Sequence, residues 1–209
     1  MIKSQSIFPG LVLLLFFLAM AATVAQPDGI KISQPYVFSN SFDKTLYKSA
    51  ITVHGKELSG LVFIKRTGET FRVVFLSEIG IKYFDIEIGS DPENDFIVHS
   101  MMEMLNRKPL TDFIENTFRM LSMSFGEIKK EDSFICDGSG NRVVVLKTKH
   151  YGKFRYDYHP NFGHVNLMWH YGFLKKKLVI ELSEYDYLAP SLIVASQQKM
   201  EFRLLRIEN

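Results

Sequence analysis

Lys153-Phe154-Arg155-Tyr156-Asp157-Tyr158-His159-Pro160-Asn161-Phe162-Gly163-His164-Val165-Asn166-Leu167-Met168-Trp169-His170-Tyr171 decides how this chain folds. Residue type alternates on both sides of Pro160-Asn161-Phe162-Gly163, a cluster with turn chemistry, so Lys153–His159 and His164–Tyr171 read as the two strands of a hairpin. A symmetric register sets Tyr158 against Val165, Tyr156 against Leu167 and Phe154 against Trp169. The other face then carries Lys153, Arg155, Asp157 and His159 against His164, Asn166, Met168 and His170. One face is aromatic and the other wet, as in an antiparallel sheet that covers apolar material on one side only. Two fillings fit: a side-chain core with a helix in it, or a cavity for an acyl chain, which curved antiparallel sheets can hold.

The same period of two extends outward from the hairpin. Tyr47, Ser49, Ile51 and Val53 share a face, and His54-Gly55-Lys56 turns the chain into Leu58–Lys65. Arg66-Thr67-Gly68-Glu69 turns it again into Thr70–Leu76, with Ile64 expected opposite Phe71, Val62 opposite Val73 and Gly60 opposite Phe75. Ile81–Ile88, Phe96-Ile97-Val98, a strand resuming at Ser133, Arg142–Lys149, Lys175–Tyr185 and Lys199–Ile207 continue the pattern. Ala189-Pro190 marks a bend between the last two. One segment changes period. Pro109 suits a first helical position, and Leu110, Phe113, Ile114, Thr117, Phe118, Leu121 and Phe125 form one apolar stripe. Asp112, Glu115, Asn116 and Arg119 take the other side, with Glu115 and Arg119 an i,i+4 pair. Met101, Met102, Met104 and Leu105 suggest one more helical turn. These elements predict a mainly β (α+β) fold of roughly ten or eleven strands, a sandwich or a barrel, with one main helix lying on the sheet.

Composition agrees with such a domain. Of 209 residues, 46% are hydrophobic and 13% aromatic, enough apolar mass to exclude a disordered chain. A net charge of +2 argues against a nucleic-acid partner. Residues 1–25 stand apart: Lys3 is their one charge, Leu11–Met20 is unbroken apolar, and Thr23-Val24-Ala25 offers small residues for cleavage. Those are the three parts of a secretory signal peptide; the rival, a retained anchor, needs about 20 apolar residues. The expected organisation is a signal peptide at 1–25, an N-terminal arm at 26–41 and a single β domain at 42–209. The product is expected in the periplasm, possible contact with the outer membrane being peripheral.

Catalytic signals are weak. His159, His164, His170 and Asp157 invite a metal reading, but six residues of strand separate His164 from His170 by roughly 20 Å. Asp137-Gly138-Ser139-Gly140-Asn141 lacks the Lys and helix of a phosphate loop. Cys136, the single cysteine, cannot form an internal disulfide and reads as packed in a strand. Glu181, Glu184 and Asp186 fit solvent-facing alternation. No catalytic residue, metal site or cofactor is expected.

The stretch Glu69-Thr70-Phe71-Arg72-Val73-Val74-Phe75-Leu76-Ser77-Glu78-Ile79-Gly80-Ile81-Lys82-Tyr83-Phe84-Asp85-Ile86-Glu87-Ile88 resembles LolB-type outer-membrane lipoprotein receptors. The order is similar: an aromatic-Arg-apolar strand, a short loop ending apolar-Gly, then an alternating strand. Pro190–Val194 followed by Met200–Leu205 looks like the closing strand pair of the same family. The resemblance implies the half-open LolA/LolB barrel, a curved antiparallel half-open β-barrel of about ten or eleven strands with helices, here the one main helix, plugging its concave side and an apolar cavity for lipoprotein acyl chains. On that basis the partners are lipid or lipoprotein acyl chains, with transient membrane contact, and the lining is Phe154, Tyr156, Tyr158, Val165, Leu167 and Trp169. The family projects an apolar side chain from the loop between those two strands, and Ile79 takes that place here; as an ordinary strand-start residue it would instead pack inward. LolB-type receptors carry an N-terminal lipidated Cys, which this sequence lacks. That leaves a soluble carrier nearer the LolA branch, or a relative serving another lipid or partner. An envelope interaction module with a filled core is the alternative from a different class.

Overall fold

A computed structural model describes residues 35–89, 95–135, 140–171, 177–186 and 188–207. The expected signal peptide, the arm up to residue 34, Cys136 and the turns at 90–92 and 137–139 lie outside the described residues. Among the described residues twelve strands form one antiparallel sheet: β1 (Lys44–Val53), β2 (Lys56–Thr67), β3 (Thr70–Leu76), β4 (Lys82–Ile88), β5 (Phe96–Met101), β6 (Ile128–Ile135), β7 (Arg142–Thr148), β8 (Lys153–Tyr158), β9 (Val165–Tyr171), β10 (Lys177–Tyr185), β11 (Pro190–Gln197) and β12 (Met200–Arg206). Their order is β5-β4-β3-β2-β1-β12-β11-β10-β9-β8-β7-β6, so β5 and β6 are free margins and the curved sheet stays open. Pro190, expected to mark a bend, begins β11, and strand content exceeds the expected ten or eleven.

Strands alternate as the sequence requires. Tyr47, Ser49 and Ile51 of β1, Val62 and Ile64 of β2, and Phe71, Val73 and Phe75 of β3 are all buried on one face. The β2–β3 register differs from the expected one: Thr67 pairs with Thr70, Ile64 with Val73 and Val62 with Phe75. The turn is the two-residue Gly68-Glu69, with Gly68 at φ +61°, a conformation glycine adopts at no steric cost. A slip of two residues preserves the face, so the buried set is unchanged.

At β8–β9 the observed register differs from the expected one by a single residue and changes faces. Tyr158 pairs with Val165 as expected, but Asp157 pairs with Leu167, Tyr156 with Met168 and Phe154 with His170. Asn166 is the extra residue of a β-bulge, and one unpaired residue reverses the alternation beyond it. Leu167 and Trp169 therefore turn to the convex face, while Met168 and His170 join the buried side.

The helix α1 (Lys108–Leu121), the one helix among the described residues, packs onto the concave side. Pro109 occupies its first turn, where a missing N–H costs no helical bond. Leu110, Phe113, Ile114, Thr117, Phe118 and Leu121 are buried as the stripe requires. The Phe118 ring meets Phe84 of β4 at 6.0 Å and Phe202 of β12 at 5.7 Å, both edge-on. Fully burying such side chains contributes about 1.5–3 kcal/mol each. Arg119, expected on the solvent side, is instead fully buried, although its pair with Glu115 forms at 2.9 Å. The Met-rich segment before the helix is the end of β5 followed by a hydrogen-bonded turn, Leu105 N donating to the Met102 carbonyl.

The described end of the arm belongs to the core. Tyr36 forms a parallel bridge with His164, and Val37, Phe38 and Phe42 are buried. The Arg66 guanidinium donates to the carbonyls of Asn40 and Phe38 and lies 4.9 Å from the Phe71 ring centroid, tying this strap to β2 and β3.

Candidate functional site: the concave face and its rim

Four of the six expected lining residues come together. Phe154, Tyr156 and Tyr158 of β8 and Val165 of β9 are buried on the concave face. Phe125, which follows the helix, covers two of them: its ring lies 4.8 Å from Phe154 and stacks on Tyr156 at 6.2 Å. Met168 and His170 complete the patch, with the His170 ring stacked on Phe154 at 4.6 Å. Burial pushes the Tyr156 phenol pKa far up and the His170 imidazole pKa down, so both are neutral near pH 7 and an apolar chain meets no charge there. The sequence stripe identified Phe125, but the bulge that brings in Met168 and His170 has no signature in the strand pattern.

The other two expected lining residues lie elsewhere. Leu167 borders an open convex cleft of about 350 Å³ with Glu181, Ser183, Leu192 and Val194. Trp169 lies beneath the Arg155 guanidinium, 4.6 Å from its ring centroid.

Ile79 stands on the β3–β4 loop and is 83% exposed, beside Ile81 at 50%. The loop is closed by its own bonds: Ser77 N donates to the Ile81 carbonyl, Ile81 N to Ser77 Oγ and Gly80 N to the Ser77 carbonyl. Gly80 takes φ +83°, which lets so tight a loop reverse. Next to it, Asp85 is held by Arg72 at 2.9 Å and Lys82 at 2.8 Å. The Arg72 hydrogen bond is the main cause that brings its carboxyl pKa down to about 2.

A polar cluster that the sequence did not reveal closes the rim. Arg119 reaches Glu115 at 2.9 Å, Asp95 at 3.4 Å and the Ser124 carbonyl at 3.2 Å. Its guanidinium lies 3.8 Å from the centroid of the Tyr151 ring, a cation–π contact. The Tyr151 hydroxyl bonds Asp95, and the Tyr151 carbonyl bonds His170 Nε2. Burial, then the bond to Asp95, pushes the Tyr151 phenol up to about 12. The only sequence signal was the Glu115–Arg119 spacing, which reads equally well as a surface pair.

The histidines gather no metal set. His164 stacks between Phe162 at 5.6 Å and Tyr185 at 4.6 Å, and no group of three or more His, Cys, Asp or Glu side chains is placed to hold a metal ion among the described residues.

No family model matches the sequence, and no curated protein is similar to it. Solved structures are similar in fold. A putative outer membrane lipoprotein-sorting protein domain from Vibrio parahaemolyticus matches 81% of this chain and 86% of its own at 8% identity, with a TM-score of 0.50. A LolA superfamily protein from Nitrosomonas europaea matches 82% and 87% at 11% identity, TM-score 0.48. A DUF1329 family protein from Desulfovibrio piger matches 81% and 85% at 11% identity, TM-score 0.46. The chain has a LolA/LolB-like fold: an open, curved antiparallel sheet with a helix on its concave side.

Proposed function

We propose that the protein is an exported, non-catalytic carrier that buries acyl chains of lipids or lipoproteins against its concave face. One observation carries the reading: the sheet is open, α1 packs on its apolar concave face, and Phe125 just beyond α1 lies over Phe154 and Tyr156 in a buried patch with Tyr158 and Val165. An acyl chain needs no more than such a surface. Each methylene removed from water contributes about 0.8 kcal/mol, so ten methylenes contribute about 8 kcal/mol toward displacing the cover. The LolA/LolB-like fold supports the same function and an envelope location. Ile79, exposed on its loop, is the proposed membrane contact during transfer. Lipid extraction and native mass spectrometry of the purified mature protein test the reading, with uptake of a fluorescent fatty acid as a second readout. Bound lipid or saturable uptake supports it. An empty protein that takes up no fatty acid overturns it.

A second reading draws on the same face. Phe84, Phe118 and Phe202 already fill the middle of the concave side, which favours an interaction module whose core is its own side chains. That module keeps its unliganded mass in every lipid and binds an envelope protein instead.

A further inference from the structure

We propose that the Arg119–Asp95–Tyr151 junction is a gate, where the two sides of the open sheet part to admit a chain to the concave face; the inference rests on the carrier reading. Each neighbouring strand pair in the sheet is held by a backbone ladder of at least five registered residue pairs. The β5 side and the β7–β8 turn meet differently. Asp95 immediately precedes β5, Tyr151 lies in the β7–β8 turn, and the phenol of one bonds the carboxylate of the other. Among the described residues side chains, not a ladder, join the sheet there, so this is where separation disrupts the fewest of the bonds described.

Arg119 explains how the junction can open without stranding a charge. A buried guanidinium that loses every partner is very costly. Here one carboxylate, Glu115, sits on the same helix one turn away at 2.9 Å, and the Ser124 carbonyl just beyond the helix accepts a further bond. Both stay with Arg119 when Asp95 leaves. The Asp95 contact is the longer one, 3.4 Å, and Arg119 Nε is the one buried side-chain nitrogen or oxygen without a hydrogen-bond partner among the described residues. Opening gives that nitrogen water, which offsets part of the lost contact. Behind the junction lie His170, Phe154 and Phe125. Parting it therefore uncovers the aromatic patch assigned to the acyl chain.

Tyr151→Phe removes the phenolic hydrogen bond while keeping the ring over Arg119, and Asp95→Asn weakens the same contact from the other side. Hydrogen exchange of the full mature chain is measured for both, followed by stopped-flow uptake of a fluorescent fatty acid. Amides of β5 and of residues 149–152 are expected to lose protection roughly fivefold to tenfold, the scale of one hydrogen bond, with β1, β2 and β12 unchanged. Uptake is expected to accelerate by a similar factor. Unchanged exchange in both variants, or loss spread evenly over the sheet, overturns the gate whatever the uptake shows. Selective loss with no uptake by any form retains a parting junction and overturns the carrier reading instead. Selective loss with uptake at the wild-type rate overturns the gate and leaves the carrier standing.

Discussion

Across β8 and β9, Tyr156 stands directly opposite Met168. That pairing places Met168 on the concave face with Tyr156 and turns its neighbour Leu167 outward. The two neighbours should then respond very differently to the same change. Met168→Gln buries an unpaired amide and is expected to cost about 2–4 kcal/mol. Leu167→Gln, beside an open cleft, is expected to stay within about 1 kcal/mol. Urea unfolding of both variants checks this, and equal losses would contradict the bulge at Asn166.

The bulge also shows what the sequence could and could not convey. Alternation over β1, β2 and β3 identifies the buried faces even though the β2–β3 turn is two residues and not the expected four, because a two-residue slip preserves parity. A bulge inserts one residue and breaks parity, and Asn166 looks like any polar strand position. Arg119 was hidden for another reason. Its spacing from Glu115 matches a solvent pair, and it is Asp95 and Tyr151, arriving from distant parts of the chain, that cover it. Val37 and Phe38 were hidden by their Ser- and Pro-containing surroundings, which lack the period that marks a core strand.

Gly60 tests the close packing of β2 against β3. A Cβ at this position would fall 2.0 Å from the Leu76 carbonyl oxygen and 3.0 Å from the Ser77 Cα. Both obstacles are backbone, so no rotamer change relieves them. Gly60→Ala is expected to destabilise by more than about 2 kcal/mol although alanine adds only one methyl group. A denaturation midpoint equal to that of the parent would show that the strands separate more easily than this geometry allows.

Asp85 gives the acid limb of stability a definite origin. Its folded pKa is about 2 against an ordinary 3.8, lowered first by the hydrogen bond from Arg72 and then by Lys82. A carboxyl depressed in the folded state stabilises above its unfolded pKa and loses that contribution as pH falls through the folded value. The shift corresponds to about 2 kcal/mol, present above about pH 4 and gone near pH 2. Asp85→Asn should therefore be less stable than the parent at pH 7, with the gap closing between about pH 4 and pH 2. Chemical unfolding at a series of pH values measures it. A gap independent of pH would mean the carboxylate charge is not what holds Arg72 and Lys82.

Ile79 separates membrane contact from fold. It is 83% exposed on a loop closed by Ser77 and Ile81 backbone and side-chain bonds, so its side chain contributes little to the core. Ile79→Glu is accordingly expected to change stability by no more than about 0.5 kcal/mol. Under the carrier reading, fatty-acid uptake in solution should persist, since the concave patch is untouched. Transfer from the loaded protein to vesicles should fall severalfold, because a carboxylate resists entering hydrocarbon. Ile79→Leu provides the control that preserves transfer. A glutamate variant that delivers lipid as fast as the parent would remove Ile79 from the mechanism, and one that melts much earlier would show that the loop packs more tightly than its exposure indicates.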